Sequence, residues 1–177
     1  MASEATRGAS RAAYRVRQVL LGLRPALRAG EVASVRALLS EPERVLFMTM
    51  DARDRRHSMD MLLWLRARMA ASGGLPSTAL EVATLLHDVG KGRLRLAERV
   101  AFVLLGALGE ARRERWCVEG EGFRGALWRL RHHARLGAEQ VAGTSTERVR
   151  WLVAHHTDAV PPDDEELRWL MAADDAC

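Results

Sequence analysis

The sequence predicts an all-α protein, a helical bundle with a short helical N-terminal extension. Two observations carry that expectation. No stretch sustains the apolar–polar alternation of period two that a half-buried strand needs, and β-branched residues are sparse. Helix start and stop signals recur along the chain and bracket segments with apolar residues on one side.

In chain order, residues 1–10 are small and polar and predict a frayed start. Residues 14–27 are amphipathic, with Pro25 bending or dividing the helix. A short helix follows over 31–39. Ser40-Glu41-Pro42-Glu43 joins a capping box to an early proline and starts a helix running to about residue 50. The next helix covers about 53–71 and stops at Gly73-Gly74. Ser77 caps a helix that ends at His87-Asp88-Val89, just before Gly90. Residues 94–115 predict one long apolar helix. Its apolar run, 100–109, is far shorter than the ~20 residues of a membrane span and reads as a buried core helix. A glycine-rich break spans 119–122, and a helix over 124–142 is expected to be interrupted near His132 or Gly137. Thr144-Ser145-Thr146-Glu147 opens the helix that carries His155-His156, and Pro161-Pro162 breaks the chain. Asp163 to Glu166 place negative charge at the start of the last helix, where its dipole favours it. The boundary is placed after residue 52, giving an extension over 1–52 and a helical domain over 53–177.

Composition narrows the class. With 48% hydrophobic and 28% charged residues, 177 residues make one soluble globular domain and exclude a disordered chain. A net charge of +4 suits a small anionic substrate, while the scattered arginines argue against a nucleic-acid partner. Cys117 and Cys177 lack metal-type spacing and imply a reducing compartment, the cytoplasm. Arg17 and Arg24 break the first apolar stretch, so no signal peptide is expected. The alternative use of this Arg-rich start is an organellar transit peptide or a helix lying on a membrane surface. The N-terminal helices leave two further uses open, a cap on the bundle or a homodimer contact.

The chemistry lies in the histidines and acids. All six histidines fall into an ordered pattern of His57, His87-Asp88, His132-His133 and His155-His156, closed by Asp174-Asp175. Neutral imidazole and carboxylate are ligands of hydrolytic metal ions. The helix before His87-Asp88 is apolar on several sides, so this polar pair is expected to be buried. Without a partner it would cost several kcal/mol, and a cation supplies one. His57, His87, Asp88 and Asp174 are enough for one metal with open water positions. His133 with His155 or His156 would hold a second, with Asp88 bridging and a shared hydroxide as nucleophile. Taken singly, His57 also reads as a helix-surface residue, His132-His133 as a solvated basic face and Asp174-Asp175 as a chain end. The chain has 26 arginines and a single lysine, Lys91, three residues after Asp88. A compact ammonium and a planar guanidinium are not equivalent beside a phosphate or a metal.

These residues resemble the HD superfamily of metal-dependent phosphohydrolases, over about Asp54 to the C-terminus. His87-Asp88-Val89-Gly90-Lys91 looks like its HDxGK signature. His133-Ala134-Arg135-Leu136-Gly137-Ala138 looks like its H-x-x-x-G-A segment, Ala154-His155-His156-Thr157 like the next ligand segment, and Ala173-Asp174 like the closing pair. The resemblance implies a compact helical bundle around the metals and hydrolysis of phosphomonoesters or phosphodiesters, often of nucleotides. It carries ligand roles to His57, His87, Asp88, His133, His156 and Asp174, with His155 retained beside them, and a phosphate or bridging-water contact to Lys91. Asp88 and Lys91 are thus the expected catalytic pair, and Arg93 and Arg135 are candidate phosphate-binding residues. The cofactor is expected to be two divalent ions drawn from Mn, Fe, Co, Ni, Zn or Mg. Thr157-Asp158-Ala159-Val160-Pro161-Pro162 has no Gly-Tyr-Pro, unlike the cyclic di-GMP branch, and the His-Thr step looks like the branch that splits diadenosine tetraphosphate. Two other readings stand beside this one, a non-catalytic nucleotide-binding module and a single-metal nucleotidase.

Overall fold

The computed structural model describes residues 26–159 and 163–177, and these are all helical apart from turns. The chain start, most of the 14–27 segment and Pro161-Pro162 lie outside the described residues. The helices are α1 (Ala29–Leu38), α2 (Glu41–Thr49), α3 (Ala52–Ala71), α4 (Thr78–Leu86), α5 (Leu96–Ala107), α6 (Glu110–Trp116), α7 (Gly122–Val141), α8 (Glu147–His155) and α9 (Glu165–Ala176). A 3-10 turn, Val89–Lys91, follows α4.

The helix starts are fixed by their own side chains. The backbone N–H of Ser40 donates to Glu43 Oε2 at 2.8 Å, closing one arm of the capping box at α2. Asp51 accepts from the Arg53 and Asp54 N–H groups, Ser77 from Leu80, Thr146 from Val149 and Asp164 from Leu167. Each such cap contributes about 1 kcal/mol.

Helix α4 is the centre of the molecule. Its sequence TALEVATLL has apolar residues on every side, and Leu80, Val82, Ala83, Thr84, Leu85 and Leu86 are all buried. It is packed against α1, α2, α3, α8 and α9. Leu62 and Leu65 of α3, Leu152 of α8 and Leu167 and Leu170 of α9 close around it, each fully buried. Burial of each contributes about 2 kcal/mol. Val35 and Phe47, from α1 and α2, join the same core. A helix this enclosed delivers whatever follows its C-terminus into the interior.

Three expectations are corrected. The helix over 94–115 is two helices, split at Gly109, whose φ of 115° ends one and starts the next. Nor is it buried: Leu96, Val100, Val103 and Leu104 are 40–58% exposed. The core is already filled around α4, and α5 packs mainly on α6 and α7. Helix α7, by contrast, runs unbroken through His132 and Gly137. Among the described residues no helix is long and apolar enough to cross a membrane.

Candidate metal centre

Five parts of the bundle meet at one point. His57 comes from α3 and Asp174 from the last turns of α9. His87 caps the C-terminus of α4, with Asp88 next to it, and they are 0% and 1% exposed. His133 lies in α7, and His156 caps α8 at 3% exposure.

Two glycines bring the α4 end onto α7. A Cβ on Gly90 would stand 2.1 Å from the His133 carbonyl oxygen and 2.4 Å from the Gly137 nitrogen. A Cβ on Gly137 would stand 3.1 Å from Val153 Cγ1 and 3.4 Å from the Gly90 nitrogen. The positive φ in this turn belongs to Gly92, at 63°, and not to Gly90. Gly90 is there for contact, because the turn lies directly on the α7 backbone beside His133.

The histidine tautomers follow from their hydrogen bonds. Nδ1 of His87 donates to the Thr84 carbonyl at 3.0 Å, that of His133 to Leu130 at 2.8 Å and that of His156 to Val153 at 2.7 Å. A carbonyl can only accept, so each Nδ1 carries a proton, and Nε2, which presents a lone pair when the ring is neutral, is the atom left for the centre. His133 Nε2 and His156 Nε2 are 3.1 Å apart. As neutral groups these are two acceptors face to face. Two imidazole nitrogens bound side by side at right angles, at ~2.1 Å from one cation, stand ~3 Å apart, so the spacing is that of a ligand pair. Asp88 Oδ1 is 3.3 Å from His87 Nε2 and 3.5 Å from His133 Nε2. Both Asp88 Oδ1 and His87 Nε2 are buried with no hydrogen-bond partner. His57 Nε2 is 2.9 Å from Asp174 Oδ1, which in turn is 3.9 Å from His87 Nε2. Two sets therefore have metal-binding proximity, His57-His87-Asp88 and Asp88-His133-His156, and they share Asp88. Orphaned lone pairs, buried and aimed at one another, fit a divalent cation.

The electrostatics agree. Burial, with help from Lys91, pushes His133 down to about 4. Burial and the neighbouring imidazoles push His156 down to about 3. Both are neutral ligands at pH 7. Burial also opposes ionisation of Asp88 and Asp174. The positive charge of His87 and Lys91 nevertheless holds Asp88 well below the carboxylate range, and the His57 hydrogen bond and His87 charge hold Asp174 low. At His87 burial opposes a proton, but the Asp88 and Asp174 carboxylates prevail and raise it. A cation entering near neutral pH must therefore displace a proton from His87 and from neither of the other two. Because His87 is raised above its ordinary value of 6.5, affinity should rise with pH above about 6.5, with a proton released on binding. Calorimetric titration with Mn2+ in buffers of different ionisation enthalpy measures this, and a pH-independent affinity would contradict it.

The other expected site residues go elsewhere, with one exception. Lys91 Nζ donates to Asp88 Oδ2. His155 turns outward, with Nδ1 2.8 Å from Asp158 Oδ2 and its ring against Trp151. Arg135 pairs with Glu139 at 2.7 Å, lies over Trp128 and is 55% exposed. Arg93 is exposed. His132 packs on Trp128, away from the cluster. In place of those arginines the structure brings Arg129 to the Lys91 turn and sets Arg99 on the start of α3. Arg129 Nε reaches the Lys91 carbonyl at 3.4 Å, and Arg99 clamps the buried Asp54. Position offered a hint for each, since Asp54 and Arg129 fall one turn before His57 and His133. Nothing local marks Arg99, which arrives from a different helix.

The family model for the HD domain matches residues 55–176, more than half of the chain. No curated protein and no solved structure matches it.

Proposed function

The chain belongs to the HD domain family, and on that premise we propose that it is a metal-dependent hydrolase of a phosphomonoester or phosphodiester, with a small nucleotide as substrate. HD domains are mostly metal-dependent hydrolases, and the His/Asp groups here can bind metal. The observation that carries the reading is Asp88, one buried carboxylate common to two overlapping ligand sets. That sharing supports a pair of divalent ions held by His57, His87, Asp88 and Asp174 on one side and His133 and His156 on the other. Bound there, the ions supply charge for phosphoryl oxygens and acidify water.

The protein's own groups do the rest. Backbone carbonyls hold the three imidazoles in the ligand tautomer, so no ring must rotate or lose its Nδ1 proton. Lys91 keeps an ammonium against Asp88 at the edge of the cluster, placed to meet a phosphate oxygen. Arg129, tethered to the same turn, adds a second cation at that edge.

Elemental analysis of untagged protein purified without chelator should give close to two transition-metal ions per chain. The same protein should hydrolyse p-nitrophenyl phosphate or bis-p-nitrophenyl phosphate, lose the activity to chelator and regain it with Mn2+. One ion per chain would leave a single-metal nucleotidase. No ion and no uptake of added Mn2+ would sink the hydrolase reading and leave a binding module.

A further inference from the structure

Helix α5 is a surface helix with its polarity reversed. Leu96, Val100, Val103, Leu104 and Leu108 are 40–61% exposed. Every other exposed residue between Leu96 and Leu108 is an alanine. The two charged residues of the helix turn inward. Glu98 is 8% exposed and accepts the Arg95 N–H, and Arg99 is held by Asp51 and Asp54. At ~100° per residue the exposed positions form one continuous face without charge. The opposite flank is taken by α6, whose Arg113 lies over Phe102 at 4.6 Å. An apolar face of this kind is a docking surface.

The chain itself contains a matching segment. Residues 12–23 lie outside the described residues, but their sequence repeats the pattern of α5. Val16, Val19, Leu20 and Leu23 have the spacing of Val100, Val103, Leu104 and Ala107. On a helix those four share one face, and Arg11, Arg15, Arg17 and Arg24 fall outside it. Helix α5 has 12 residues, and a helix over 12–23 would equal it in length, ~18 Å. Charge is complementary as well. Residues 1–25 hold five Arg and one Glu, and the remainder of the chain holds equal numbers of basic and acidic residues, so the whole net charge of +4 resides in this segment. Glu110 and Glu114, both exposed, stand just past the C-terminal end of α5.

We propose that residues 12–23 dock as a helix on the outward face of α5. The path of the chain sets the direction. Leu27 is partly buried on the core, and Arg56 of α3 holds Glu31 at 2.6 Å. Asp54, two residues before Arg56, is held by Arg99 of α5. The segment thus leaves the body at the end of α5 that carries Leu96. An antiparallel course from there brings Arg11 and Arg15 to Glu110 and Glu114. A second copy of the chain is a poorer occupant, because seven exposed residues fall short of the ~20–30 a side of a standard interface. A tethered segment meets the face at a millimolar effective concentration. An anionic lipid surface would be repelled by Glu110 and Glu114. The proposal is independent of the hydrolase reading.

Hydrogen exchange of the full chain at low micromolar concentration, read by mass spectrometry, tests it. Amides of residues 12–23 should exchange at least ~10-fold more slowly than in a free peptide of that sequence. Leu104→Glu on the face and Leu20→Glu in the segment should each abolish that protection and leave α4 protected as before. Leu104 is 58% exposed, so the body does not need it to fold, and Leu20 lies outside the body altogether. Molar mass by sedimentation should be the same in all three proteins. Unprotected residues 12–23, or protection that survives Leu104→Glu, would overturn the proposal. So would a dimer that Leu104→Glu dissociates, or binding to phosphatidylglycerol vesicles that Leu104→Glu abolishes, since either assigns the face to another occupant.

Discussion

Gly90→Ala is expected to break the site and to destabilise the fold by ~3 kcal/mol or more, the upper end of what overpacking costs. The added methyl would stand 2.1 Å from the His133 carbonyl oxygen and 2.4 Å from the Gly137 nitrogen. Both are backbone atoms of α7, so no side chain can swing aside. The Val89–Lys91 turn would have to lift off α7 and carry Asp88 away from His133, now 3.5 Å distant. Thermal unfolding and metal uptake should therefore fall together. Gly30→Ala is the matching control, since a Cβ there meets nothing within 4 Å and the residue lies in α1. It should stabilise by about 0.5–1 kcal/mol. Equal effects of the two substitutions would show that the close approach is not what holds the turn.

Asp88→Asn should abolish metal binding while leaving the fold intact. The amide NH2 can turn toward the lone pairs of His87 and His133, and its oxygen toward the Lys91 ammonium. The cluster then becomes satisfied without a cation and without the shared charge. Turnover should fall by at least ~10^3-fold, more than removal of one donor from a transition-state site generally costs. Melting temperature without metal should stay near that of the unaltered protein. Asp88→Ala differs, because it strands the Lys91 ammonium, whose side chain is only 19% exposed. Removing one partner of a buried pair costs about 3–5 kcal/mol, and that variant should lose stability accordingly. Undiminished metal uptake by Asp88→Asn would refute the role of Asp88 as the shared ligand.

Much of this was legible before any coordinates. The capping box at Ser40, the Ser77 cap and the acidic start of α9 are each spelled out within four residues, and short-range chemistry of that kind needs no tertiary context. Enclosure of α4 could be read from apolar residues on all its sides. Helix α5 misled for the same reason. An apolar sequence states that burial would be favourable, not that a partner surface is free to provide it. The break at Gly109 was equally ambiguous, since glycine is tolerated inside helices and only its φ of 115° ends this one.

What the sequence determined by itself was the helical class, the capped starts of α2, α4, α8 and α9, and the short list of residues able to hold a cation. The tertiary structure decided which of them meet. Neighbouring residues on a helix point ~100° apart, so at most one of His132 and His133 can face the centre. His133 does, while His132 packs on Trp128. Beyond the end of α8 the same separation puts His156 inside and sends His155 to Asp158. Cations sort by the same rule. Arg135 is drawn to Glu139 one turn away, whereas Arg99 meets Asp54 across 45 residues of sequence. Rotation about a helix axis and the packing of one helix on another are set by the whole core, which no local run of residues encodes.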